Sequence, residues 1–446
     1  MNTPICDFVN KYTKSKAERL HMPGHKGMPL LGFEAYDITE IDGADSLYEA
    51  DGIIAESEKN AGKLFGCNTF YSAEGSSQCI KAMVHLAALD AKSKGKTPLI
   101  AAGRNAHKAF MNSLALTDCG VMWLYPEDKN SYLSCKITPD GLEKAINSAE
   151  IKPTAVYITS PDYLGNITDL KSIAEVCKKH SLLLLVDNAH GAYLKFLPQN
   201  LHPMDCGADI CCDSAHKTLP VLTGGAYLHI SKNADPFFAK NAKDSLVLYG
   251  STSPSYLVLQ SLDRANKYIA DGYSEKLADF CIKISNAKKK LEANGYELYG
   301  NEPLKIVIKT KSYGYYGSDF AEILKNNGIV CEFSDPDFIV FMLTPENCSE
   351  GIEKLIDALI SIQKKYSINE NPPVIPVLSS AISVRKAVFS PCETVFVNQA
   401  QGKILAQANV ACPPAVPVAV CGEIITEEAI KCFEYYGIKK IKAVTE

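Results

Sequence analysis

The sequence lacks the marks of several large protein classes. Its 16 cysteines are scattered over 446 residues, only Cys211 and Cys212 are adjacent, and no C-x-x-C pair occurs. A disulfide framework and the spacing of a zinc site are therefore both missing, and free, mostly buried thiols in a reducing cytoplasm are expected, with no metal. No apolar run reaches the roughly 20 residues of a spanning helix. The most apolar late stretch, Val410 to Cys421, is broken by Pro413, Pro414 and Pro417, and Met1 to Leu20 is too polar for an export signal. There is no excess of positive charge: 46 Lys and Arg stand against 51 Asp and Glu, a formal −5, which leaves no footprint for nucleic acid or an anionic membrane. Neither G-x-x-x-x-G-K-[ST] nor G-x-G-x-x-G is present, which argues against a nucleotide enzyme. Small-molecule chemistry remains.

What is present is an ordinary globular composition, 46% hydrophobic and 22% charged, on a chain long enough for one large domain and a smaller one. From about residue 60 to 230 short apolar runs alternate with helical patterns, the signature of an α/β fold with a mainly parallel sheet. The candidate strands are Leu99 to Ala102, Val121 to Leu124, Ala155 to Thr159, Leu182 to Val186, Ile210 to Cys212 and Ala226 to Ile230. Leu170, Ile173, Ala174 and Cys177 form one face of a helix, so 155–186 reads as a βαβ unit. After Leu304 smaller elements follow: strands at Leu304 to Ile308 and Phe338 to Leu343, a helix capped by Ser318 or Asp319, and a helix with an Ile352, Leu355, Ile356, Leu359, Ile360 stripe. The Asn-Glu-Asn-Pro-Pro stretch at 369–373 reads as a linker. The expected division is an N-terminal segment 1–50, a major domain 51–300, a small α/β domain 301–368 and a C-terminal segment 369–446.

In open α/β sheets ligands bind beyond the carboxyl ends of the strands, so the residues there are the ones to weigh. Val186 is followed by Asp187-Asn188-Ala189-His190-Gly191, and Cys212 by Asp213-Ser214-Ala215-His216-Lys217-Thr218. Alone, Asp187 could equally cap a helix, and Lys217 could be a solvated surface lysine. Glu74-Gly75-Ser76-Ser77 precedes a helical stretch from Gln78 to Lys92; its amides would face an anion, although Ser is also simply a good N-cap. Arg104-Asn105-Ala106-His107 follows another strand, where the imidazole could stack on a ring or merely hydrogen-bond its loop. Together these residues match the needs of pyridoxal phosphate: an amine for its aldehyde, a carboxylate for its pyridine nitrogen, and backbone and hydroxyl donors for its phosphate.

Four motifs then carry a resemblance. His21-Met22-Pro23-Gly24-His25-Lys26-Gly27, Asp37-Ile38-Thr39-Glu40, Asp187-x-x-His190-Gly191-Ala192 and Ser214-x-His216-Lys217-Thr218 resemble the bacterial ornithine/lysine/arginine decarboxylases. The resemblance runs from about residue 19 through Cys412-Pro413-Pro414-Ala415-Val416-Pro417 and Gly422-Glu423. It implies a fold-type I pyridoxal phosphate-dependent large domain, the aspartate aminotransferase fold, with a smaller α+β C-terminal region. The length resembles the short form of the family, without an N-terminal receiver-like domain.

Carried over residue by residue, the resemblance makes Lys217 the Schiff-base lysine, Asp187 the partner of the pyridine nitrogen and His107 the residue stacked on the ring. Gly75, Ser76, Ser77, Ser214 and His216 would hold the phosphate, and His190 would lie near the cofactor. Thr252 and Ser253 resemble the segment that reaches the phosphate from a neighbouring subunit, which implies a homodimer with its active site at the interface. Glu423 is the candidate grip for a cationic substrate end, although it is equally a residue placed before the helix start at Thr426-Glu427-Glu428. The chain departs from the family pattern at Glu74, Gln407 and Cys412. The activity implied is decarboxylation of a basic amino acid to its amine in polyamine metabolism, with arginine favoured over lysine and ornithine. The rival readings are an aminotransferase or lyase on the same scaffold, or a silent cofactor-binding homologue.

Overall fold

The computed structural model describes residues 1–126, 131–407 and 414–445. Cys412 and Pro413 of the C-terminal motif lie outside the described residues. The main sheet has seven strands: β1 (Asn68–Ser72), β2 (Leu99–Gly103), β3 (Gly120–Leu124), β4 (Ala155–Thr159), β5 (Leu183–Asp187), β6 (Ile210–Asp213) and β7 (Ala226–Ile230). Their order is β1-β7-β6-β5-β4-β2-β3. The six strands expected from apolar runs all form, with bounds shifted by at most about a residue, as element ends usually are.

Two features depart from the parallel pattern. β7 runs antiparallel to β6, with Ile210 opposite Ile230 and Asp213 opposite Tyr227. The connection from Ser214 to Gly225 holds only the one-turn helix Ala215–Thr218, too short for a crossover that would bring the chain back in the same direction. β1, a strand with no apolar run to announce it, pairs antiparallel with β7 and closes that edge.

The chain forms two compact units: residues 1–96, 154–157 and 170–277 in the first, and 97–153, 158–169 and 278–446 in the second. In the first, the helix Ser76–Ser93 buries Cys79, Ile80, Met83, Val84, Leu86 and Ala87, so most of its circumference is apolar and enclosed. The helix Leu170–Lys179 buries Leu170, Ile173, Val176 and Cys177; Val176 takes the place that the periodicity gives to Ala174.

The second unit adds two small antiparallel sheets. β8 (Lys305–Lys309), β9 (Phe333–Ser334) and β10 (Phe338–Met342) are ordered β8-β10-β9, and the helix Ser349–Ser361 buries Ile352, Leu355, Ile356 and Leu359 of the expected stripe. β11 (Cys392–Phe396), β12 (Leu405–Gln407) and β13 (Lys440–Val444) are ordered β11-β13-β12 over a core that includes Val397, Leu405, Ile425, Phe433 and Ile441. The Asn-Glu-Asn-Pro-Pro stretch at 369–373 has no regular structure, in keeping with its two prolines. Among the described residues no helix is long and apolar enough to cross a membrane, and every described cysteine is free.

Candidate active site

In the first unit the carboxyl ends of β5 and β6 lie side by side, and the chain leaves each through a tight turn. β5 ends on Asp187, which is buried; its Oδ2 accepts from the Tyr157 hydroxyl at 3.1 Å and its Oδ1 from the Ala189 N–H at 3.2 Å. Burial pushes the Asp187 carboxyl pKa up, and the positive Lys217 pulls it back. After β6, Ser214 starts the short helix that carries Lys217, fixed by Lys217 N–H to Ser214 O at 2.9 Å and Leu219 N–H to Ala215 O at 2.8 Å. This turn sets Lys217 Nζ at 2.9 Å from His190 Nε2, in the turn after β5. Asp187, His190 and Lys217 thus form one charged cluster, assembled from two adjacent strand ends.

A second group of the same unit is built for an anion. Gly75 takes φ 72° and ψ 176° at the start of the helix Ser76–Ser93, and its N–H reaches Gly224 O at 2.7 Å. The helix start has no side-chain cap and no acidic residue in its first turn, so its positive end is left uncompensated. The Ser214 hydroxyl donates to Ser76 Oγ at 2.6 Å, which brings the Lys217 turn and this helix start together, while Glu74 is exposed. His216 donates from Nδ1 to Gly225 O at 3.0 Å, and burial lowers its pKa. The Gly75 backbone lies where an L side chain is strained, although a Cβ would meet nothing nearer than Ser77 N at 4.0 Å. Gly75→Ala is therefore expected to lose about 1–3 kcal/mol through the backbone alone, read as a lower midpoint in urea unfolding.

The donor set suits pyridoxal phosphate. An amine, a desolvated carboxylate and an uncapped helix start beside Ser76, Ser77 and Ser214 are the three kinds of group that its aldehyde, pyridine nitrogen and phosphate require.

The remaining candidates lie in the second unit or on exposed loops. His107 is the N-cap of the helix Lys108–Thr117, its Nδ1 accepting from Ala109 N–H at 3.0 Å. Glu423 is buried: its Oε2 accepts from Arg104 Nη2 at 3.1 Å and from Val420 N–H at 2.6 Å, while no hydrogen-bond partner for Oε1 is found among the described residues. Burial raises the Glu423 carboxyl pKa and Arg104 lowers it. Arg104 also donates to Pro417 O and Val418 O and lies over the Trp123 ring at 5.3 Å. Sequence reasoning named both residues but missed their pairing. Thr252 and Ser253 are exposed, just ahead of the helix Tyr256–Ala270.

An amine and a carboxylate at neighbouring strand ends of a mainly parallel sheet, beside an uncapped helix start, define a fold-type I pyridoxal phosphate enzyme as the class. Residues 3–301 match the model of the Orn/Lys/Arg decarboxylase major domain, and residues 363–442 match that of the C-terminal domain. The chain belongs to the Orn/Lys/Arg decarboxylase family, a family of pyridoxal phosphate-dependent carboxy-lyases. It is 30% identical to an arginine decarboxylase of Bacillus subtilis (strain 168), over 96% of this chain and 92% of the relative. An arginine decarboxylase of Halalkalibacterium halodurans is 31% identical, over 95% and 91%. Among solved structures, the Francisella novicida lysine decarboxylase LdcF superposes with a TM-score of 0.80 at 17% identity, covering 99% of this chain and 81% of that one.

Proposed function

We propose that this protein decarboxylates a basic L-amino acid, arginine before lysine and ornithine, to the corresponding amine and CO2 in polyamine metabolism. The observation that carries the reading is the Lys217–His190 pair at 2.9 Å beside the buried Asp187, in a chain of the Orn/Lys/Arg decarboxylase family. Arginine is favoured by the relatives of 30% and 31% identity, both arginine decarboxylases.

Lys217 would hold the aldehyde of pyridoxal phosphate, Asp187 would face its pyridine nitrogen, and Gly75, Ser76, Ser77, Ser214 and His216 would take the phosphate. When bound, the cofactor supplies a sink for the electrons left at Cα as the carboxylate departs. Asp187 lies in dry surroundings where burial raises its pKa and the positive Lys217 opposes that rise; in its ionised form it would hold a proton firmly on a nitrogen facing it. Lys217 Nζ, hydrogen-bonded to His190 Nε2, is the group offered for returning a proton to Cα. His107 would lie against the ring. Glu423 Oε1, buried and lacking a partner among the described residues, is the atom offered to the cationic end of the substrate. Arg385, the sole arginine after residue 264, spends its guanidinium on Ala115 O at 2.7 Å, which favours decarboxylation over an aminotransferase needing that arginine for a carboxylate.

The working form in this reading is a cytoplasmic homodimer. Its support is an exposed apolar segment holding Leu20, Met22, Met28, Leu30 and Leu31, of which Leu20 is 89% and Leu30 80% exposed, together with the exposed Thr252 and Ser253. Apolar exposure on this scale is what subunit association buries.

The test is product analysis by mass spectrometry after incubating cofactor-loaded protein with equimolar arginine, lysine and ornithine. Agmatine is expected to predominate over cadaverine and putrescine. Bound cofactor without any of these amines would reject the reading.

A further inference from the structure

The roles above leave a fully buried carboxylate without a task. Asp213, the last residue of β6, has no exposed surface and accepts three hydrogen bonds: from Asn188 Nδ2 at 2.6 Å on Oδ1, and from His202 Nε2 at 3.0 Å and His229 Nε2 at 3.2 Å on Oδ2. Asn188, His202 and His229 are themselves wholly buried. His202 Nδ1 accepts the Met204 N–H at 3.3 Å, so its proton sits on Nε2 and points at Asp213. His229 faces Thr69 Oγ1 with Nδ1 at 2.9 Å, and the Phe65 ring lies 4.5 Å from it.

The hydrogen bonds in this cluster compensate the buried carboxylate. Burial alone would raise the Asp213 carboxyl, but the two histidines outweigh it and hold it below the usual carboxylate range. Burial alone would lower His229, yet Cys67 and Asp213 bring its pKa up to about 9, while His202 is lowered by burial against the pull of Asp213. A carboxylate that accepts from two imidazoles and an amide is compensated by hydrogen bonds on both of its oxygens, which is how a buried charge is tolerated.

The covalent neighbours of this cluster give it a task. Asn188 follows Asp187 directly and Asp213 precedes Ser214 directly, so the Asn188–Asp213 hydrogen bond joins the turn that carries His190 to the turn that carries Lys217. The backbone bond from Asn188 N–H to Cys212 O at 3.0 Å runs beside it. We propose that Asp213 is a positioning residue of the active site: gripped by His202 and His229, it ties the Asp187–His190 turn to the Ser214–Lys217 turn and so sets the Lys217–His190 pair. The proposal rests on the reading of Lys217 as the cofactor lysine. A metal ion suits the cluster less well, although His202, Cys211 and Asp213 offer ligand atoms within 4.8 Å of one another. The His202 and Asp213 atoms at 3.0 Å are closer than the roughly 3.3 Å that tetrahedral zinc imposes on two ligands with bonds near 2.0 Å, and a proton already bridges them.

The test compares Asp213→Asn, Asn188→Ala and a destabilised core control, Ile173→Ala, as full-length proteins. Two quantities are read: the dissociation constant for pyridoxal phosphate, and the rate at which an amine reagent acylates Lys217 in cofactor-free protein, followed by peptide mass spectrometry. Asp213→Asn and Asn188→Ala are expected to weaken cofactor binding about 10- to 100-fold and to raise Lys217 acylation about tenfold, with the control within twofold of wild type. If Asp213→Asn does not fold, Asn188→Ala carries the test, because it removes the tie and leaves the ionic cluster in place. Values within twofold of wild type in the folded variants would overturn the proposal, as would one equivalent of metal in the wild type that Asp213→Asn loses. If both quantities move while no amino acid is decarboxylated, the proposed reaction fails and the positioning role stands; decarboxylation with neither quantity moved removes the positioning role alone.

Discussion

Lys217→Ala is expected to lower kcat by at least about 10³-fold while leaving the fold intact. The two halves of this expectation have separate origins. The turn that carries Lys217 is held by backbone bonds, Lys217 N–H to Ser214 O and Leu219 N–H to Ala215 O, which alanine keeps. The side chain is only half-buried, so its loss removes little packing and unfolding should shift by about 1 kcal/mol or less. Chemistry is another matter, because the same Nζ is both the attachment point for the cofactor and one end of the hydrogen bond to His190. Lys217→Arg is expected to fare no better, since a guanidinium stays protonated at any working pH and cannot exchange a proton at Cα. The measurements are steady-state decarboxylation, the visible spectrum of the bound cofactor and thermal unfolding, made side by side. A Lys217→Ala rate within tenfold of wild type would remove Lys217 from the mechanism.

Much of this arrangement is legible in the chain, for identifiable reasons. Strands enclosed on both faces must be apolar throughout, so β2 and β4 to β7 show as runs such as Leu182 to Val186, while β3, half-buried at the edge of the sheet, shows as a run as well. The direction of β7 does not show, because an apolar run reads the same both ways and only the short Ser214–Gly225 connection reverses it. β1 stays hidden: Asn68, Thr69 and Ser72 are polar, and the strand exists because β7 presents an edge to it. Asp187 and Lys217 stand out because each breaks an apolar run at a strand end. The Asp213 cluster stays invisible, since it depends on a sheet register that sets Cys211 opposite His229 and on a loop that delivers His202. Arg104 and Glu423 are separated by 319 positions, and nothing local to either announces the other.

That pair gives the largest stability effect. Glu423→Gln keeps the shape of the side chain but removes the charge opposite Arg104, which is 5% exposed and would be left with neutral partners, the carbonyls of Pro417 and Val418 and the Tyr125 hydroxyl among them. A buried ion pair broken from one side loses about 3–5 kcal/mol, because the remaining charge stays desolvated and uncompensated. Arg104→Met from the other side is expected to lose a similar amount, leaving a desolvated carboxylate held by the Val420 N–H. The double variant Arg104→Met/Glu423→Leu should recover a large part of either loss, since no uncompensated charge remains. Recovery stops short of wild type because the Pro417 and Val418 carbonyls and the Val420 N–H then lack partners, at about 1–3 kcal/mol for each group left unsatisfied. Urea unfolding of the four proteins closes the cycle. A double variant as unstable as the sum of the singles would mean that the two side chains act independently, and that Glu423 is buried for a reason other than Arg104. If Glu423 Oε1 also receives the substrate cation, Glu423→Gln will raise KM at temperatures where it is fully folded, and Arg104→Met, which keeps the carboxylate, will raise it less.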